Sequence, residues 1–219
     1  MTMKLIKHAL ALAGLGVAVS VAQAGNVTIV NGDFGSPAVG GNFTTINAGG
    51  GIAGWDVTGG SIDLIGNYWQ PSPGNGSGQS VDMDGNSPGT IQQTGISLSA
   101  GIATVYFDLA GNPDGFPTTK TLQVDLLGLT PQVFTFTLPP AVNRDNNMGW
   151  VSESAAFVIP TAGDYTLQFA SLDGGGSPYG PALDNVSMNQ TTATPEGAST
   201  ALLCAMSLAA LALFRWKLA

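Results

Sequence analysis

The chain has one cysteine and one histidine, and both lie near its ends, His8 towards the start and Cys204 towards the finish. Residues 25–193 therefore contain neither. That absence excludes a Ser-His-Asp triad, a Cys-His pair and a histidine-ligated zinc within one copy of this stretch. It also excludes an internal disulfide, so stability must come from packing. Basic residues are almost as scarce. Of the six Lys and Arg, only Lys120 and Arg144 lie in 25–193, against twelve Asp and Glu153, a net charge of −11 there compared with −8 for the whole chain. Such a surface repels nucleic acid and offers no patch for anionic lipid. Helical periodicity is also missing between the two termini.

The termini carry the long apolar runs. At the start, Lys4 and Lys7 precede an apolar stretch from Ala9 to Val21, and Ala22-Gln23-Ala24 supplies small residues for cleavage. This is the order of a secretory signal, expected to be removed after Ala24. The run is short for an uncleaved anchor. At the end, Pro195-Glu196-Gly197 precede an apolar segment at about 200–214 and then Arg215-Trp216-Lys217. A helix there would be short for a bilayer but feasible with flanking anchors, its basic tip on the cytoplasmic side. A glycolipid-anchor signal usually has a polar spacer before its apolar tail, and none is present here.

Between the termini the pattern is that of strands. Runs of β-branched and aromatic residues recur with turn residues between them. They are 27–30, 55–58, 61–65, 79–83, 90–98, 103–109, 121–126, 132–138, 151–159, 165–170 and 183–188. Apolar and polar residues alternate in Thr104-Val105-Tyr106-Phe107-Asp108-Leu109, the mark of a strand with one buried face. Gly and Pro crowd the connections. The expectation is an all-β domain over 25–188, a two-sheet jelly-roll sandwich. Residues 189–194 would be a polar linker to the tail at 195–219.

Two resemblances follow. The tail, with Pro195-Glu196, an apolar helix and a basic end, resembles the PEP-CTERM sorting signal of Gram-negative bacteria, although Gly197 stands where that pattern has a second proline. This implies processing by an exosortase-like membrane enzyme near Pro195-Glu196. It also implies export through the inner membrane to the cell envelope, the outer surface or the medium, with the C-terminal helix holding the chain until it is cut. The second resemblance spans most of 25–190. Asn31-Gly32-Asp33-Phe34 opens it, Gln79-Ser80-Val81-Asp82-Met83-Asp84-Gly85 and Gly89-Thr90-Ile91-Gln92-Gln93 follow, and Gly180-Pro181-Ala182-Leu183-Asp184-Asn185-Val186 closes it. In this order the fragments resemble the DUF642-type, or choice-of-anchor C, family. That implies a galactose-binding-like jelly roll working outside the cell on exopolysaccharide or cell-wall glycan. The family's opening motif usually has Glu after Phe; here Gly35 stands there.

Candidate site residues carry alternatives. Tyr68 and Trp69 lie in a Pro/Gly/Ser-rich loop and Tyr179 in another. They either stack on sugar rings or plug the ends of the sandwich. Trp55 and Trp150 flank strand starts and are expected in the core. Asp33 and Asp184 fall in the first and last strands, which are commonly neighbours in a jelly roll. They either share a structural calcium ion or make turn and edge hydrogen bonds. Asp82-Met83-Asp84-Gly85-Asn86 resembles half a calcium loop, but a strand-ending turn suits it better. No other cofactor is expected. Asp63, Asp82, Asp108 and Glu153 are the carboxylates a glycosidase would need. With one Glu in the body and no acid/base motif, a non-catalytic glycan-binding or matrix protein is expected, with a purely structural envelope protein as the alternative.

Overall fold

The computed structural model describes residues 24–138, 144–174, 176–192 and 204–207. The expected signal up to residue 23, and with it Ala22, lies outside the described residues. So does the sorting motif Pro195, Glu196 and Gly197. Of the expected tail helix, only one helical turn at 204–207 is described. Among the described residues no helix is long and apolar enough to cross a membrane. Residues 23–193 form a compact unit of their own.

Among the described residues this unit has thirteen strands. They are β1 (Ala24–Val27), β2 (Phe43–Asn47), β3 (Gly51–Ile52), β4 (Trp55–Gly59), β5 (Ser61–Ile65), β6 (Ser80–Asp82), β7 (Thr90–Leu98), β8 (Gly101–Gly111), β9 (Thr119–Leu126), β10 (Gln132–Thr137), β11 (Val151–Ile159), β12 (Gly163–Ser171) and β13 (Pro181–Thr192). They form two antiparallel sheets. One runs β11-β8-β13-β6-β5-β2, with β1 added against β13; the other runs β10-β9-β12-β7-β4-β3. This is the expected all-β sandwich.

The alternation of each strand decides which side chains fill the space between the sheets. On β8, Ala103, Val105, Phe107 and Leu109 are buried, and Phe107 meets Phe169 of β12 edge-on at 5.5 Å. Trp55, 1% exposed, packs against Phe34 and Phe169 as expected of a core residue. Trp150 is half-buried instead, and its indole N–H reaches the Gln70 carbonyl at 3.0 Å.

Three boundaries differ from expectation. The segment Asn31–Asp33 is not strand. It is a turn after β1, in which the Phe34 amide donates to the Asn31 carbonyl at 3.1 Å, with Asn31 and Phe34 both at positive φ. Gly32 is required there because a Cβ would sit 2.0 Å from the Val186 carbonyl oxygen of β13. Residues 189–192, expected to be linker, continue β13, where they pair with β8 and in part with β1. Ala24, the last residue of the expected signal, is the first residue of β1 and pairs with Thr191.

Candidate functional site

The outer face of the β1-containing sheet is where polar chemistry collects. Register places Thr45, Asp63 and Asp82 side by side across β2, β5 and β6, on the opposite face from the core row Leu64, Val81 and Leu183. The next row along is Phe43, Ile65 and Ser80. The connection from β5 to β6 folds back over this face and covers part of it.

A cleft of about 230 Å³ opens beside that cover. Its floor is Thr45, Asp63 and Asp82. Tyr68, Trp69, Phe43 and Tyr179 wall it, and Asn86, Asn112 and Asp114 close it from neighbouring loops. The volume is below the roughly 300–1,000 Å³ of drug-sized sites and suits one ring-sized group. Grooves of 550 and 620 Å³ are lined mainly by glycine, aliphatic and small polar residues, with no charged side chain and, apart from Phe157, no aromatic ring; a groove of about 500 Å³ shares Tyr68 and Trp69 with the cleft and adds Asp145.

Tyr68 and Tyr179 are both half-buried and face the cleft. The Tyr68 hydroxyl donates to Asp114 at 2.7 Å, and this bond, with burial second, pushes its pKa up to about 12. The ring meets Phe43 edge-on at 5.7 Å. Tyr179 is held from behind. Buried Lys120 donates to its carbonyl and to that of Gly115, and Gly115 leaves room for the ring, since a Cβ there would fall 2.1 Å from it. Trp69 differs from the other two. It is 4% exposed, and its indole N–H donates to Ser80 Oγ at 2.8 Å. It is a plug whose edge reaches the cleft, not a free stacking platform.

The floor carboxylates have distinct surroundings. Asp82 is fully enclosed. One oxygen accepts the Asp84 and Gly180 amides at 3.0 and 3.1 Å, the other the Asn112 side-chain amide at 2.6 Å. The first of these contacts makes Asp82-Met83-Asp84 a strand-ending turn, as expected. Burial raises the Asp82 pKa well above the usual range, against the pull of its hydrogen bonds. Asp63 accepts the Thr45 hydroxyl at 2.5 Å on one oxygen only, and burial raises its pKa too. Asp108 lies elsewhere on the face, held by Ser72, Ser152 and Asn185, and Glu153 sits on β11.

The expected calcium pair meets only in part. Asp184 is fully buried beneath the β5–β6 connection. The Asn75 side-chain amide reaches both its oxygens at 2.6 and 2.7 Å, and the Ser72 and Asn185 amides reach it at 3.1 and 2.7 Å. Burial pushes its pKa up to about 7 despite these donors. The Asp33 carboxylate, by contrast, is exposed and accepts the Gly35 amide at 3.3 Å. Asp33 enters the juncture through its carbonyl, 3.2 Å from Asn75 Nδ2, with the Gln79 carbonyl at 2.5 Å. Four oxygens thus converge on one nitrogen that has two hydrogens. They are hard donors of the kind calcium takes, four towards a shell of six to eight. A β-bulge after Asp184, with Asn185 at positive φ, aims these groups at the connection.

Sequence reading named Asp63 and Asp82 only as glycosidase carboxylates, beside Asp108 and Glu153, and did not bring Asn112, Asp114 and Phe43 to them. The signal was present for the two Asp residues. In Ser61-Ile62-Asp63-Leu64-Ile65 and Ser80-Val81-Asp82 the Asp residues fall on the face opposite the aliphatics. The others come from separate loops.

The family model described as "Protein of unknown function (DUF642)" matches residues 27–189. The chain belongs to this DUF642 family. Among solved structures, a cyclase from Fischerella sp. TAU is similar with a TM-score of 0.52 at 15% identity, over 78% of this chain and 100% of that one. A family 35 carbohydrate binding module from Clostridium thermocellum is similar with a TM-score of 0.42 at 14% identity, over 68% and 98%. The module TmCBM61, solved with β-1,4-galactotriose, has a TM-score of 0.41 at 14% identity, over 64% and 90%. At these identities none of the similarities bears on function. Halomucin of Haloquadratum walsbyi is 42% identical over 50 residues, which is 23% of this chain and a share of that protein that rounds to 0%.

Proposed function

We propose that this DUF642 protein is an exported, non-catalytic glycan-binding or matrix protein of the cell envelope, and that the cleft between Tyr68 and Tyr179 receives one sugar ring. The observation that carries the reading is the cleft itself, a ring-sized concavity with aromatic walls and a floor of hydrogen-bonding groups. Such a site supplies stacking for the apolar face of a pyranose and acceptors for its hydroxyls. Asp82 already accepts from protein donors on both oxygens, so it is not free to serve as the acid or the nucleophile of a glycosidase beside Asp63.

The rest of the proposal comes from the ends of the sequence and from the juncture. The N-terminal signal directs export, and the Pro195-Glu196-Gly197 tail directs sorting by an exosortase-like enzyme. A structural calcium ion at the juncture would be held by Asp184 and by the carbonyls of Asp33 and Gln79. Its contribution would be to tie β1, β13 and the β5–β6 connection together.

The test is affinity electrophoresis of the purified protein in gels containing neutral and charged polysaccharides, alongside reducing-sugar assays. Retardation by at least one polysaccharide without sugar release is expected, and Tyr68→Ala should reduce it. No retardation by any polysaccharide would overturn the reading in favour of a purely structural envelope protein.

A further inference from the structure

The cleft floor carries charge that nothing around it balances. Asp63 and Asp82 stand directly opposite one another on β5 and β6, a pairing that costs stability when both are ionised. Asp114 belongs to the same lining, and no Lys, Arg or His does. The one buried cation nearby, Lys120, already donates to the carbonyls of Gly115 and Tyr179, and three carboxylates, Asp173, Asp82 and Asp84, draw on it together. Within this lining Asp63 is the group left open. It is only 9% exposed and lines the cleft; one oxygen takes the Thr45 hydroxyl, and the other has no hydrogen-bond partner among the described residues. A half-satisfied carboxylate this deep is costly unless a ligand completes it.

The missing partner is a small cation with hydrogen-bond donors. A metal ion does not suit the lining, since Asp82 already accepts protein donors on both oxygens and Asp63 has one oxygen on Thr45. A neutral hydroxyl would donate one hydrogen bond but leave the charge. A uronic acid would add to it. An ammonium brings three donors, no acceptor and one positive charge, which matches a floor made of oxygens. Its carrier must fit about 230 Å³ between Tyr68 and Tyr179, as a single pyranose does.

Building on the glycan reading, we infer that the cleft selects a de-N-acetylated amino sugar, its free ammonium seated against Asp63 and its ring between Tyr68 and Tyr179. The negative surface, −11 over residues 25–193, concentrates such a polycation near the protein before the cleft selects it. N-acetylation removes the charge and adds bulk, so the acetylated sugar loses both reasons to bind.

Calorimetric titration with three β-1,4-linked tetramers tests this: glucosamine, N-acetylglucosamine and glucose. The glucosamine tetramer should bind at least tenfold more tightly than the other two. Asp63→Asn, close in shape and still able to accept from Thr45, should erase that preference while leaving the melting temperature within a few degrees. Asp56→Asn, an exposed acid on the other sheet, should leave it intact. Equal affinities for the three tetramers would overturn the inference, as would equal losses in the two variants, which would mean diffuse attraction only. If none of the tetramers binds but another polysaccharide retards the protein in gels, the ammonium is wrong and the glycan reading stands. If no glycan binds by either method, both fall.

Discussion

Tyr68 and Trp69 are adjacent in the chain and end up with opposite roles. The difference is set by one contact, the indole N–H of Trp69 on Ser80, eleven residues away. In a loop there is no periodicity to tell which of two neighbouring rings turns inward, so the sequence left both roles open for both rings. The structure separates them, and mutation should as well. Trp69→Ala removes a buried indole and should cost about 3–5 kcal/mol, measured by urea unfolding, with binding lost only as the fold is lost. Tyr68→Ala removes a half-exposed ring. It should leave the urea midpoint close to wild type and weaken glycan binding about tenfold, since one stacked ring contributes on the order of 1 kcal/mol. A Tyr68→Ala protein that binds glycans like wild type would show that this wall is not used.

At the scale of elements, apolar β-branched runs were legible and short polar or glycine-flanked strands were missed. β7 and β11 have the bounds that such runs predict, because burial on one face and the twofold side-chain period reinforce each other, and β5 has them with all five residues buried. β2 is Phe-Thr-Thr-Ile-Asn between glycine-rich neighbours, and β3 is two residues long; neither stands out from loop composition. The covering connection was illegible for a different reason. Its anchors, Asn75 on Asp184 and Ser72 on Asp108, span 109 and 36 residues, and no local pattern announces such partners. They make a prediction about the juncture. Asn75→Ala takes a donor from a fully buried carboxylate and should cost about 2 kcal/mol in EDTA. Millimolar calcium should raise the melting temperature of wild type, because an ion bound only by the native state stabilises it. Differential scanning calorimetry with and without EDTA checks both. Wild-type melting that is indifferent to calcium would remove the ion from the juncture, and an Asn75→Ala protein that melts like wild type would remove the anchor.

The whole molecule is acidic, and where its acids sit decides how it answers pH. The surplus of Asp over Lys and Arg is countable in the sequence; which Asp residues are buried is not, because that depends on how β6, β9 and the connection before β13 come together. In the structure Asp82, Asp84 and Asp173 gather near Lys120. Asp84 is fully buried, with neither oxygen in a well-formed hydrogen bond, and burial pushes its pKa up to about 6, Lys120 pulling only weakly the other way. Burial raises Asp63, Asp82 and Asp173 in the same direction. For each of these groups the folded protein holds its proton to a higher pH than the unfolded chain, whose Asp titrates near 3.9. Stability from this source is therefore fully present below pH 4 and is lost as pH rises through the folded values, near 6 for Asp84. A shift of about two units corresponds to about 3 kcal/mol as an upper figure for that one residue. Repulsion among the remaining surface carboxylates grows over the same range and adds to the loss. Most proteins weaken on acidification because paired carboxylates must be protonated; the raised buried acids predict the reverse here. In EDTA, to keep metal out of the comparison, the melting temperature should be higher at pH 5 than at pH 8. Asp84→Asn should narrow the gap chiefly by raising the value at pH 8. A melting temperature that climbs from pH 5 to pH 8, or a gap unchanged in Asp84→Asn, would mean that the buried acids are compensated in solution and that Lys120 neutralises more of them than its two carbonyl contacts suggest.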